Sequence, residues 1–205
     1  MDLILASASP RRAALLSAAG IPFRVEAVDV DETPWPGEAP AAYVERLAIE
    51  KARAIVCRDP GTLVLAADTT VVVEEQILGK PADDRDAARM LELLSGREHE
   101  VLTGVALRRG AELLTHVERS EVRFLQLRPD EVAWYVSTGE PHDKAGGYAI
   151  QGLGSRFVEH IRGSYSNIVG LPVAQVYLLL RRLAGADGWG HPGQAIDPPP
   201  DRRYS

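Results

Sequence analysis

Residues 3–20 read LILASASPRRAALLSAAG. LILAS, Leu3–Ser7, is a short apolar run of the kind that forms a buried strand. Ser9 suits the N-cap of a helix and Pro10 its first helical position. The helical run continues through Ala13, Leu15 and Leu16, and Gly20 suits its stop. A strand, a tight loop and a helix N-terminus make a ready anion site, because the first backbone N–H groups of a helix have no partners within it. Arg11 and Arg12 stand in that first turn. The helix dipole is positive there, so each cation should cost a few tenths of a kcal/mol. Two readings remain open from these residues alone. Both arginines point into water, or their planar donor forks address an arriving anion such as phosphate.

Working outward, FRVEAV (Phe23–Val28) alternates like a strand, and the acidic VDVDETPWPGEAP that follows reads as a Pro-rich loop. Ala41–Cys57 is predicted to be helical. TLVLAAD is an apolar strand, and VVVEEQIL either continues it or turns back as a hairpin. Asp83–Leu94 is a helix ended by Ser95-Gly96, and residues 99–127 are two strands joined at Arg109-Gly110. Asp130–Ser137 is helical, the glycine-rich segment from Gly146 to Pro172 is irregular with short strands, and Pro172–Ala184 is a final apolar helix. The tail from Gly185, rich in Gly and Pro, reads as disordered. Strands and helices mix without strict alternation, so the pattern calls for an α/β or α+β architecture with a mixed sheet. One folded domain, 1–184, and a tail, 185–205, is the expected organisation.

The bulk numbers remove several functional classes. The chain has 205 residues, 45% of them hydrophobic and 25% charged, ordinary for a soluble domain. A net charge of −6 argues against a nucleic-acid polymer as partner, yet a local cation cluster suffices for one nucleotide. A single cysteine, Cys57, rules out an intrachain disulfide framework and fits a reducing, cytoplasmic setting. No signal peptide is visible, and no apolar run is long enough to span a membrane. There is no G-x-x-x-x-G-K-[ST] loop, no zinc-type histidine spacing and no G-x-S-x-G elbow. GLGSRF lacks the last glycine of a dinucleotide fingerprint.

Charged residues in apolar surroundings are more telling. At about 100° per residue, Tyr43, Val44, Leu47, Ala48, Ala54 and Ile55 share one face of their helix, and Glu45, Arg46, Glu50 and Arg53 the other. Lys51 falls on the apolar face, where it must snorkel out, pair, or point into a site. Asp68 interrupts TLVLAA and VVV; it is a strand-end turn residue, or it is paired or metal-bound. Thr69 and Thr70 add hydroxyls beside it. Lys80, in LGKP, and the acidic Asp29, Asp31 and Glu32 read equally as solvated loops or as site groups. Two arginines, two lysines and one or two carboxylates are what a polyphosphate with a hard divalent cation requires.

Four blocks give these residues a family. LILASASPRRAALLSAAGIPF, the EKA of Glu50–Ala52, AADTTVVVEEQILGKP, and GEPHDKAGGYAIQGLGSRFVEHIRGSYSNIVGLP resemble the Maf family of nucleoside triphosphate pyrophosphatases, also called septum formation inhibitor proteins. The resemblance runs through nearly everything except the tail. It implies an α/β fold with a mixed, elongated central sheet flanked by helices and a cleft between two lobes, similar in layout to the inosine triphosphate pyrophosphatases. It implies hydrolysis between the α- and β-phosphates with a divalent cation, Mg²⁺ or Mn²⁺, and many members are homodimers. Carried over by motif, Asp68 is the proton acceptor. Arg11, Thr69 and Gln151 bear on substrate choice. Ser9 and Arg12 of S-P-R-R, with Lys51 and Lys80, lie with the substrate, and Glu32 joins Asp68 near the metal. DKAGGYAIQG resembles the branch acting on dTTP and UTP, with Gly147 and Ala149 as small departures. Gln151 can donate and accept at once, which suits the O4 and N3–H edge of uracil or thymine. The rival expectations are a pyrophosphatase for 7-methyl-GTP or modified purines, and a nucleotide-binding regulator of cell division.

Overall fold

A computed structural model describes residues 2–184; the expected disordered tail, 185–205, lies outside the described residues. Seven strands form one mixed sheet: β1 (Leu3–Leu5), β2 (Arg24–Val25), β3 (Leu63–Val73), β4 (Gln76–Leu78), β5 (Glu98–Arg109), β6 (Glu112–Phe124) and β7 (Val158–Arg162). The order is β2-β1-β3-β5-β6-β7, with β4 added to β3. β1 is parallel to β2 and β3; every other pairing is antiparallel. Among the described residues six α-helices flank it: α1 (Pro10–Ala18), α2 (Pro40–Ala54), α3 (Asp84–Leu94), α4 (Pro129–Ser137), α5 (Tyr165–Val169) and α6 (Val173–Ala184).

β3 organises the whole. One of its edges is paired with β5 continuously from Leu63 to Val72. Its other edge takes β1 at Leu63–Leu65 and β4 at Val71–Val73, and no strand described here pairs that edge across residues 66–70. The two sequence readings of VVVEEQIL are therefore both realised: the strand continues to Val73, then reverses through Glu74 and Glu75, both at positive φ, into β4. The two faces of β3 alternate between different cores, as the pleat requires. Leu63, Leu65 and Ala67 join Leu3, Leu5, Leu16, Val176 and Leu180. Farther along the same face, Val71 and Val73 join Leu91, Leu94, Phe124 and Tyr135. On the opposite face Val64 and Ala66 pack on Ala48 and Ala52 of α2, and Val72 on Tyr43, Val44 and Leu47 of the same helix. Residues 68–70 lie between these clusters, where the edge is unpaired.

Gly104 sets the height of α2 over the sheet. It sits opposite Asp68 in the β3–β5 register. A Cβ there would lie 2.2 Å from the Val44 carbonyl oxygen, so only glycine lets the helix backbone come this close.

Several sequence expectations need correction. The start of α1 is not among them: Ser9 is its N-cap and Pro10 its first residue, although the Ser9 side chain makes no capping bond. The predicted strand at Phe23–Val28 shrinks to Arg24–Val25, both exposed at the sheet edge. α2 ends at Ala54, which is exposed, and Cys57 lies beyond it, half-buried. Arg46, on the face of α2 opposite the apolar one as read, has only 11% of its side chain exposed.

Candidate functional site

The unpaired stretch of β3 opens into a cleft of about 590 Å³. Its lining includes Ser9, Arg11, Arg12, Glu32, Lys51, Asp68, Thr69, Lys80 and Gln151. These nine residues, with Asp29 and Thr70, thus face one space; Asp31, the other acidic candidate of the loop, does not line it.

The centre is a lysine between two acids. Lys51 Nζ donates to Asp68 Oδ1 at 2.6 Å and to Glu32 Oε1 at 2.6 Å. The Lys51 and Asp68 side chains are about nine-tenths buried, whereas Glu32 is about half exposed. The cationic side chain on the apolar face of α2 therefore pairs and points into the site, and Asp68 is a paired strand residue rather than a turn. Burial works to raise the Glu32 pKa, but the Lys51 hydrogen bond and charge hold it below its ordinary value. Lys80, exposed, approaches Glu32 Oε2 at 3.9 Å.

The acidic loop reaches this point because α2 fastens it. Tyr43 Oη donates to the Glu32 carbonyl at 2.9 Å. Burial, then the Asp68 and Glu32 charges, push the Tyr43 pKa up to about 12. Arg46 forks onto Glu38 at 2.7 and 2.8 Å, donates to the Thr33 carbonyl, and stacks 4.2 Å over the Trp35 ring. Loop 32–38 is thus anchored, not merely solvated.

The two arginines divide. Arg12 folds inward: Nε donates to the Gly170 carbonyl at 2.8 Å, and its terminal nitrogens to Ser7 Oγ and Thr69 Oγ1, each at 3.1 Å. Burial lowers its pKa and Asp68 works against that, but an arginine keeps its charge throughout. Thr69 Oγ1 also meets Thr103 Oγ1 at 2.9 Å. Arg11 instead reaches across the cleft to Asp143, with Nη1 to Oδ2 at 3.0 Å. Asp143 also pairs with Lys144. Partial burial would raise the Asp143 pKa, but hydrogen bonds from Lys144 and Arg11 hold it down at about 2. Neither arginine is simply solvated.

Gln151 lies at the far wall, exposed, in an irregular segment between short 3-10 turns at Ala145–Gly147 and Leu153–Phe157. Tyr148 and Ala149 line the same wall. Tyr148 Oη is 2.8 Å from His99 Nε2, and burial brings that histidine down to about 3, so it is a neutral core group.

A divalent cation fits the donor set. Two carboxylates converge on one ammonium, offering the hard oxygens that Mg²⁺ and Mn²⁺ take. Among the described residues no three His, Cys, Asp or Glu side chains gather as a metal group, so phosphate oxygens and water would have to complete the shell. Sequence reasoning missed Tyr43, Arg46, Gly104 and Asp143 as shapers of this site. Only Gly104 carried a usable sign, a lone glycine inside a strand pattern.

Comparison with known proteins gives a consistent picture. The family model described as "Maf-like protein" matches residues 2–183. A protein named dTTP/UTP pyrophosphatase from Anaeromyxobacter dehalogenans is 53% identical over 194 residues, covering 93% of this chain and 98% of that protein. One of the same name from Myxococcus xanthus is 54% identical over 180 residues, covering 88% and 91%. Among solved structures, a HAM1 protein from Coxiella burnetii superposes with a TM-score of 0.52 over 89% of this chain and 99% of that one, at 17% identity, a likeness of fold.

Proposed function

The chain belongs to the Maf-like protein family, and from that premise we propose that it is a nucleoside triphosphate pyrophosphatase acting on dTTP and UTP. Water and the triphosphate give the monophosphate and pyrophosphate. The observation that carries this reading is the buried Lys51–Asp68 pair with Arg11, Arg12 and Lys80 around one cleft. A purely structural protein gains nothing from a lysine and an aspartate facing an open cavity, because burying the pair is costly.

In this reading the triphosphate lies along Arg11, Arg12, Lys51 and Lys80, whose charge offsets the negative charge that grows on the leaving pyrophosphate. Asp68 accepts the proton of the water that attacks phosphorus, and the bond to the bridging oxygen between the α- and β-phosphates breaks. Asp68 and Glu32 would hold a divalent cation, Mg²⁺ or Mn²⁺, which when bound supplies Lewis-acid polarisation of phosphate oxygens. Lys51, already shared by both carboxylates, keeps them together and orients Asp68. Arg12 fixes Thr69, and Ser9 lies at the helix N-terminus where backbone N–H groups face the cleft. Gln151 reads the O4 and N3–H edge of the base, with Arg11 and Thr69 contributing to substrate choice. The reading includes a cytoplasmic location, supported by the single cysteine, and a homodimer. No described helix is long and apolar enough to cross a membrane.

A panel of dTTP, UTP, CTP, ATP, GTP and 7-methyl-GTP with Mg²⁺, read by product identity, tests it. Monophosphate plus pyrophosphate, fastest from dTTP and UTP, is the expected result. Diphosphate plus phosphate, a preference for 7-methyl-GTP, or tight binding without turnover overturns it.

A further inference from the structure

Gln151 sits in a segment with no strand ladder and no regular helix, yet its backbone is fastened on both sides by two residues outside the cleft's charged centre. On one side, the Ala149 N–H donates to Tyr135 Oη at 3.2 Å. On the other, the Leu153 and Gly154 N–H groups donate to Glu140 Oε2 and Oε1, each at 3.0 Å. Tyr135 Oη joins the two anchors by donating to Glu140 Oε1 at 2.7 Å. One hydroxyl and one carboxylate therefore bracket Ile150–Gln151 as a unit.

The bracket is rigid for stated reasons. Tyr135 is fully buried in α4, with its ring edge-on to Phe157 at 5.2 Å. The chain at Gly152 passes directly over the carboxylate at φ +153°, where an added Cβ would lie 2.6 Å from Glu140 Oε2. The carboxylate accepts three donors that no water need replace, and charge-assisted bonds of this kind are the stronger ones. Burial works to raise its pKa, but the bonds from Tyr135, Gly154 and Leu153 hold it below the ordinary glutamate value. Lys144 Nζ adds a bond to the Glu140 carbonyl at 2.7 Å.

We propose that Tyr135 and Glu140 are positioning residues for base selection: together they hold loop 149–154 in the one conformation that presents Gln151 to the base. This rests on the reading above in which Gln151 contacts the base. A side-chain amide can discriminate between donor and acceptor edges only if its own position is fixed, since a loose amide adapts to either pattern.

The test uses the full chain with Mg²⁺ and compares kcat and KM for dTTP, UTP and CTP. The variants are Tyr135→Phe, Glu140→Gln and Gln151→Ala, each with a thermal melt. Tyr135→Phe keeps the ring and removes only the hydroxyl. Glu140→Gln replaces one acceptor oxygen with an NH₂ that faces N–H donors. The expected result is that both lower the preference for UTP over CTP by about tenfold, mainly through KM for UTP. A merely structural role would lower all three substrates alike and leave the ratio unmoved. If Gln151→Ala abolishes the preference while Tyr135→Phe, folded, retains it, the positioning role is overturned. If Glu140→Gln does not fold, Tyr135→Phe decides. If the preference falls in Tyr135→Phe and Glu140→Gln but survives in Gln151→Ala, the positioning role stands and the assignment of base reading to Gln151 is what fails.

Discussion

The two walls of the cleft are built differently. The wall bearing Asp68, Lys51 and Arg12 consists of strand and helix side chains, largely buried, with Lys51 bonded to Asp68 and Arg12 to Thr69. The wall bearing Gln151 consists of 3-10 turns and bends with glycines at positive φ, and its key side chain is exposed. Regular elements give fixed spacing at low conformational freedom, which suits charge stabilisation that must not reorganise during reaction. Loops give a surface whose shape can differ between relatives without disturbing the core. Damage to the charged pair of the first wall, Asp68 and Lys51, should therefore cost rate on every nucleotide, and damage to the second should cost choice, to which Thr69 on the first wall also contributes.

The sharpest way to break this contrast is Asp68→Asn. It should lower kcat roughly 10²–10³-fold on dTTP and UTP alike; near-normal turnover in a steady-state assay would remove Asp68 as the base. Next, Lys51→Met leaves Asp68 without its partner and should cost about 3 kcal/mol of unfolding free energy in urea titrations, the low end for a broken buried pair because Glu32 remains half exposed. A change within a few tenths would mean the pair is not stabilising the rigid wall. Gly104→Ala comes third. Its Cβ would meet the Val44 carbonyl at 2.2 Å, so α2 must move and overpacking should cost about 1–3 kcal/mol. Its activity loss should be uniform across nucleotides, and a selective loss would contradict the division between walls. Smallest is the loop wall's acid response. Asp143 has its pKa depressed to about 2 from 3.8, so its contribution is complete above the unfolded value and is lost as pH falls through the folded one. Urea midpoints measured from pH 5 to pH 2 should fall less steeply in Asp143→Asn, with Asp31, Glu32, Glu38, Asp86 and Glu140, also held below their ordinary values, contributing to the remaining slope.

The same contrast explains what could be read in advance. Asp68 and Lys51 were visible because each violates a period, one the apolar run of a strand and the other the apolar face of a helix. Arg12 was visible as a cation at the wrong helix end. All three departures are local, and so is the glycine at 104, which went unread because its reason lies in α2, sixty residues earlier. Asp143, Tyr135 and Glu140 break no pattern. Their meaning arises only when residues 11, 149 and 154 arrive beside them, and no spacing along the chain announces that. At the sheet edge FRVEAV alternates well, yet only Arg24 and Val25 find strand partners there. Arg46 lies on the polar face of its helix, and its partners could not be read from that face because they come from a loop that closes over it.

The uninterrupted pairing of β3 with β5 from Leu63 to Val72 has a mechanical consequence. The strand runs from one core, past the cleft floor, into the other. Asp68 therefore stands on a continuously paired strand, with its side chain held from the opposite side by Lys51 of α2. The same ladder thus ties the two cores into one sheet through the floor of the cleft.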